Sequence, residues 1–373
     1  MTTSATANTA PRAEDRPASS TSPRRVAAAS LVGTTLEFYD HFVFGTAAAL
    51  AFPKLFFPQT DPFVATILSL LSYGIAFVAR PVGAAIFGSL GDKLGRRFVL
   101  VSTLLVMGLS TFLIGLLPTY EHVGLLAPLL LAVLRFAQGL ALGGEWGGAA
   151  LMVNEFDASG RRRGFYGSLV QVASPIGVLI ANAMFGFMNT VTTDAQFMDW
   201  GWRVPFLASI LLVGIGYFIR RTIEESPVFK SLEKSDHKAE APLAETLRKH
   251  WRQVLLAIGV RAGEGVIWYV FSLLLLIYVP NRLGLPRQVA LNAVLWGAAV
   301  GVVAIPLFGA LSDRFGRKPM LLLGVAASIV WSFAYFPLLE TRNPSLVVFA
   351  SVIGMVCQAS LWAPLAAFIP DMF

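Results

Sequence analysis

Of the 373 residues, 55% are hydrophobic and 14% are charged, against about 25% charged in an ordinary soluble domain, which excludes a water-soluble globular surface. Twenty-nine Lys and Arg against 22 Asp and Glu leave a net charge of +7, but the bases sit in short segments between apolar blocks, so membrane topology rather than a nucleic-acid partner accounts for the excess. The single cysteine, Cys357, excludes an intrachain disulfide and a cysteine zinc site.

Residues 1–25 are rich in Ala, Ser, Thr and Pro, with no apolar run ahead of a small-residue cleavage site. They read as a disordered tail rather than a signal peptide. Ten apolar blocks follow, at about 26–52, 63–87, 98–117, 123–153, 166–188, 202–220, 253–280, 288–311, 320–339 and 345–368. Each is long enough, at 1.5 Å per residue, to cross the roughly 30 Å of a hydrocarbon core. The one long polar connection, 221–252, divides the chain into bundles at 26–220 and 253–373. Of the 29 Lys and Arg, 21 fall on the side of the N-terminus and this linker, five on the opposite side (Lys54, Arg203, Arg282, Arg287, Arg342) and three within spans. The positive-inside rule then predicts a multi-pass protein of the cell inner membrane with its N-terminus and linker in the cytoplasm.

Charges near mid-membrane cost about 2.5–3.5 kcal/mol each on insertion scales, so they need partners or a wet cavity. The chain places Glu37 and Asp40 in the first span, Arg80 in the second, Arg135 and Glu145 in the fourth, and Arg261 and Glu264 in the seventh. Four acids against three bases leave one carboxylate in excess, and a proton would neutralise it, as a proton-coupled carrier requires. Arg135, Gln138, Leu142 and Glu145 share one stripe at helical spacing, with Gly139, Gly143 and Gly147 forming an adjacent small-residue stripe suited to close helix packing. Glu37 and Asp40 are candidates for proton or substrate handling, Arg135 and Arg261 for binding an anionic group, and Glu145 for either a proton or a gate. Trp268, Gln358 and Trp362 are candidates to line the site. The competing reading of each charge is an ion pair that joins two helices. Arg80, directly before Pro81, reads as structural at a kink, and His41 reads as a helix contact that could titrate.

The strongest signal is an internal repeat: Gly88 to Arg97 (GSLGDKLGRR) returns as Gly309 to Lys318 (GALSDRFGRK), each after a second apolar span and before a third. The same offset carries Asp40 onto Arg261 and predicts an opposite-charge pair across the centre. Within the loops, Gly88 and Gly95 permit close approach or positive φ, and Asp92 can pair with Arg96 or face a helix N-terminus. The fifth and sixth spans have no counterpart before Phe373, so the expected fold lacks its last two helices.

This loop resembles the gate motif of the major facilitator superfamily, matched at Gly88, Asp92, Lys93, Gly95, Arg96 and Arg97 and again at Gly309, Asp313, Arg314, Gly316, Arg317 and Lys318. Arg135-Phe-Ala-Gln138-Gly139, Gly143-Gly144-Glu145-Trp146-Gly147-Gly148, Glu37-Phe38-Tyr39-Asp40 and Arg80-Pro81-Val82-Gly83 are similar to its metabolite:proton symporter branch. The resemblance implies an all-α polytopic fold of two pseudo-symmetric six-helix halves. It also implies that Asp313 faces the start of the fifth helix in a cytoplasmic gate. The implied function is proton-driven import of a small polar metabolite, a shikimate-like or other organic acid, by a monomer with no cofactor, no metal and no nucleic-acid partner. Proline- and betaine-like osmolytes are the alternative cargo. A non-transporting sensor and an inactive truncated carrier are the other classes. No HExxH, GxSxG or GxxxxGK motif supports an enzyme.

Overall fold

The computed structural model describes residues 23–94, 96–156, 163–222 and 248–372. Ten long helical segments run in alternating directions: α1 Pro23–Leu50, α2 Pro62–Leu94, α3 Arg96–Leu116, α4 Leu126–Phe156, α5 Arg163–Val191, α6 Arg203–Thr222, α7 Trp251–Asn281, α8 Arg287–Phe315, α9 Arg317–Glu340 and α10 Pro344–Phe368. Among the described residues, eight of these are long and apolar enough to cross a membrane. Counting the bent pair Asp194–Gly201 and Arg203–Phe218 as one span makes nine. The remaining helix, α1, has the length at 28 residues, but Glu37, Asp40 and His41 dilute its apolar character. Their burial explains how it is tolerated: all three are nearly inaccessible, because α1 packs inside the bundle between α5, α6 and α7.

Local chemistry sets the helix ends. Asp61 accepts from the backbone N–H of Phe63 at 2.9 Å and starts α2 at Pro62, which has no N–H to lose. Asn343 does the same for Ser345, ahead of Pro344 at the start of α10. Gly316, at φ 91°, turns α8 directly into α9, a conformation that a residue with a Cβ rarely adopts.

Two of the long helices are broken. α5 divides after Gln171 and α7 at Ser272. The first break has a covalent cause: Pro175 has no N–H to offer the Gln171 carbonyl four residues earlier. The indole Nε1–H of Trp362 on α10 donates to that oxygen at 3.2 Å, and Gln171 Nε2 donates back to the Trp362 carbonyl at 3.3 Å.

The expected small-residue packing is present where α4 crosses α2. A Cβ on Gly143 would overlap the carbonyl oxygen of Arg80, and one on Gly139 would overlap Ala76. Large apolar side chains such as Val78, Val303 and Phe333 point outward, as a lipid-facing surface requires. We refer to the end carrying the α2–α3 and α8–α9 turns as the near end, and to the opposite one as the far end.

Candidate functional site

Between α1, α2, α7 and α10 lies a cavity of about 780 Å³ with largely aromatic and aliphatic walls and a few converging polar groups: His41, Arg80, Arg261, Glu264, Tyr269 and Gln358. Phe42 of α1 stacks on Trp268 of α7 with ring centroids 4.9 Å apart and forms its far-end roof. From there the lining descends along α7 to Val254, about 20 Å at the helical rise.

On the α7 side, Arg261 forms an ion pair with Glu264, one helical turn away. Glu264 is buried, and its other oxygen accepts from Gln358 Nε2 at 2.7 Å. The Arg261 guanidinium lies 4.5 Å from the centre of the Trp362 ring. Trp362 thus connects the charge pair to the α5–α10 clasp.

On the α1 side, Arg135 is completely buried and serves as a donor hub. It donates to the Tyr73 carbonyl at 3.3 Å, to Gln138 Oε1 at 2.9 Å and to His41 Nδ1 at 3.1 Å. Phe44 and Tyr73 pack on its guanidinium at 4.3 and 4.6 Å. Gln138 continues to Thr111 at 2.7 Å. His41 Nε2 meets the Tyr73 hydroxyl at 2.5 Å, and that hydroxyl meets Tyr269 Oη of α7 at 3.3 Å. A polar path therefore runs from α3 through α4, α1 and α2 into the cavity.

Asp40 does not face Arg261. It shares a face of α1 with Glu37, turned to the interior of the first bundle, where its carboxylate lies beside Gly108 and Thr111. His41, one residue on and about 100° around the helix, takes the cavity-facing position instead. The cross-centre pair expected from the repeat is absent among the described residues, because Arg261 is held by its own helix neighbour. Asp40 Oδ1 is buried without a hydrogen-bond partner there.

Of the sequence candidates, Arg261, Glu264, Trp268, Gln358 and Trp362 line the cavity. Arg135 and Gln138 lie one layer behind it, and Glu37 and Asp40 sit inside the first bundle. The Glu145 side chain lies outside the described residues. Tyr73, Tyr269 and Gln171 were missed, since single neutral residues in apolar runs carry no sequence signal. Arg80, expected to be a structural residue, stands on the cavity wall with its guanidinium over Phe77 at 4.4 Å.

The second copy of the repeated loop forms the contact expected of it. Asp313 at the end of α8 accepts from the backbone N–H groups of Gly164 at 2.8 Å and Phe165 at 2.9 Å, at the N-terminus of α5. These donors have no partner within their own helix, and the helix dipole favours a negative charge there. Gly309 provides the close approach, since a Cβ there would overlap Ser168, and Gly316 provides the positive φ. Arg317 pairs with Asp371 beside this contact. Arg314 lies over Phe315, and Lys318 is on the first turn of α9. In the first copy Gly88 has open space around it. Gly95 and the side chains of Asp92, Lys93, Arg96 and Arg97 lie outside the described residues. At the far end, Asn189 of α5 meets Gln288 of α8 at 3.3 Å, and Asp194, just beyond α5, pairs with Arg287 of α8 at 3.7 Å.

Residues 31–373 match the sequence model of the Major Facilitator Superfamily. The inner membrane metabolite transport protein YhjE of Escherichia coli (strain K12) is 43% identical over 361 residues, covering 94% of this chain and 81% of that protein. The shikimate transporter of the same organism is 38% identical over 332 residues, with 88% and 76% covered. Among solved structures, the partially occluded inward open conformation of the E. coli xylose transporter XylE superposes with a TM-score of 0.72 at 17% identity, covering 94% of this chain and 88% of that one.

Proposed function

Because this chain belongs to the major facilitator superfamily, as a membrane transporter of small molecules rather than an enzyme, we propose that it is a proton-coupled symporter importing an organic acid of the shikimate kind. The proposed placement is the cell inner membrane, N-terminus in the cytoplasm, with residues 26–220 and 253–373 forming the two moving halves around the 221–252 linker. It works as a monomer, without a cofactor.

The observation that carries this reading is the division of labour around the cavity. Arg80, Tyr269 and the internally paired Arg261 and Glu264 face the space, whereas the Asp40 carboxyl is buried behind it. A buried carboxylate oxygen without a donor is costly, and taking up a proton removes the charge. The Thr111–Gln138–Arg135–His41 path gives that event a route by which to reach the cavity wall. The contacts between halves supply the alternating element: the Asp313 lock on α5 at the near end, and the Asn189–Gln288 and Asp194–Arg287 contacts at the far end, must exchange as the halves rock.

Uptake of labelled shikimate, oxoglutarate and glycine betaine into proteoliposomes with an imposed inward proton gradient tests this. Gradient-dependent uptake of an acid supports the reading. Uptake of glycine betaine instead moves the cargo to the osmolytes. Downhill movement indifferent to the gradient rejects symport.

A further inference from the structure

We infer that Arg80 and Tyr269 form the seat for a carboxylate of the cargo, with Tyr269 oriented as a donor into the cavity by the hydrogen-bond chain that begins at Arg135. This rests on the reading of the cavity as a transport site and deepens it by naming the group that each residue takes.

The orientation follows from donor and acceptor inventory. A guanidinium only donates, so His41 Nδ1, at 3.1 Å from Arg135, must be the acceptor and the ring proton must sit on Nε2. Nε2–H then donates to the Tyr73 oxygen. The Tyr73 proton is left to donate to Tyr269 Oη at 3.3 Å. Tyr269 already accepts, and its own O–H is available to a ligand. Each bond fixes the direction of the next, and the last donor points where cargo would sit.

Arg80 supplies the charge. Among the described residues it has no ion-pair partner, and its Nε is buried with no hydrogen bond, whereas Arg261 is paired to Glu264 and Arg135 has three acceptors. Arg80 and Tyr269 converge on one ring: the guanidinium lies over Phe77 at 4.4 Å from its centre, and the Tyr269 ring packs nearly perpendicular to it with centroids 6.0 Å apart. Both line the cavity. A hydroxyl donor beside an unpaired guanidinium matches a carboxylate, the group that organic acids and the zwitterionic osmolytes both carry. His41 acts here as a positioning residue.

The test is binding of shikimate, oxoglutarate and glycine betaine, and of the methyl ester of shikimate, to the purified chain, read from the fluorescence of the cavity tryptophans. The parent, Tyr269→Phe, Arg80→Gln and Arg80→Lys are compared. The seat predicts that at least one acid binds the parent and that Tyr269→Phe weakens it about tenfold. Arg80→Gln should weaken it further, with partial rescue by Arg80→Lys, and the ester should bind weakly and ignore Tyr269→Phe. Acid binding unchanged in Tyr269→Phe and Arg80→Gln, with both variants folded by circular dichroism, overturns the seat and leaves the transport reading standing. A parent that binds none of the carboxylates at millimolar concentration overturns both the seat and the organic-acid cargo.

Discussion

Trp362 donates its indole N–H to the Gln171 carbonyl, an oxygen that Pro175 leaves without its helical partner, across the boundary between the two halves. A defect in α5 is thereby repaired by α10, and the Arg261 guanidinium lies over the same ring, 4.5 Å from its centre.

Trp362→Phe keeps the aromatic face for Arg261 but removes the donor. It should destabilise the folded chain by about 1–3 kcal/mol, the usual cost of a buried polar group left unsatisfied. A melting curve in detergent measures this, and a phenylalanine variant as stable as the parent would show that the clasp carries no weight.

Gly143→Ala places a methyl group against the carbonyl oxygen of Arg80. Overpacking of this kind costs about 1–3 kcal/mol or more, so a lower melting temperature and a smaller folded fraction after extraction are expected. Gly88→Ala meets nothing within 4 Å and should hold or slightly raise stability, since alanine is the better helix former.

Asp313→Asn removes the negative charge that holds the α5 N-terminus. The near-end contact should open, moving spin labels on the near ends of α5 and α8 apart and shifting the conformational population about tenfold, an order set by the loss of two charge-assisted hydrogen bonds. Label distances unchanged from the parent would remove Asp313 from the gate.

The ion pair on α7 predicts a coupling that differs from the one implied by the repeat. Arg261→Gln and Glu264→Gln should each lower uptake, with a double variant no worse than the worse single one, because either change alone leaves the other charge uncompensated. Asp40→Asn combined with Arg261→Gln should instead show additive losses, since the two residues share no contact.

How much of this was legible in the sequence depended on whether one element sufficed to define a feature. The contact of Asp313 with the start of α5 was legible because the repeated loop resembles a family motif that implies that partner. The Gly139 and Gly143 packing was legible from helical spacing alone. The Asp40–Arg261 pairing failed because the repeat fixes position along a helix but not its rotation. In α1 the cavity is faced by His41, about 100° from Asp40. Arg80 was taken for a kink residue because Pro81 follows it, and nothing local indicates that its neighbours leave it unpaired. The Gln171–Trp362 clasp depends on two helices meeting, so only the three-dimensional structure could reveal it.

The central claim, that cargo and proton move together, is tested most directly by adding unlabelled shikimate outside proteoliposomes of this chain with no imposed gradient and following external pH. Symport predicts that the medium becomes more alkaline as the acid enters, with the signal abolished by a protonophore and lost in Asp40→Asn, which retains exchange of labelled for unlabelled cargo. Uptake of the acid with no proton movement in the parent chain would contradict the account.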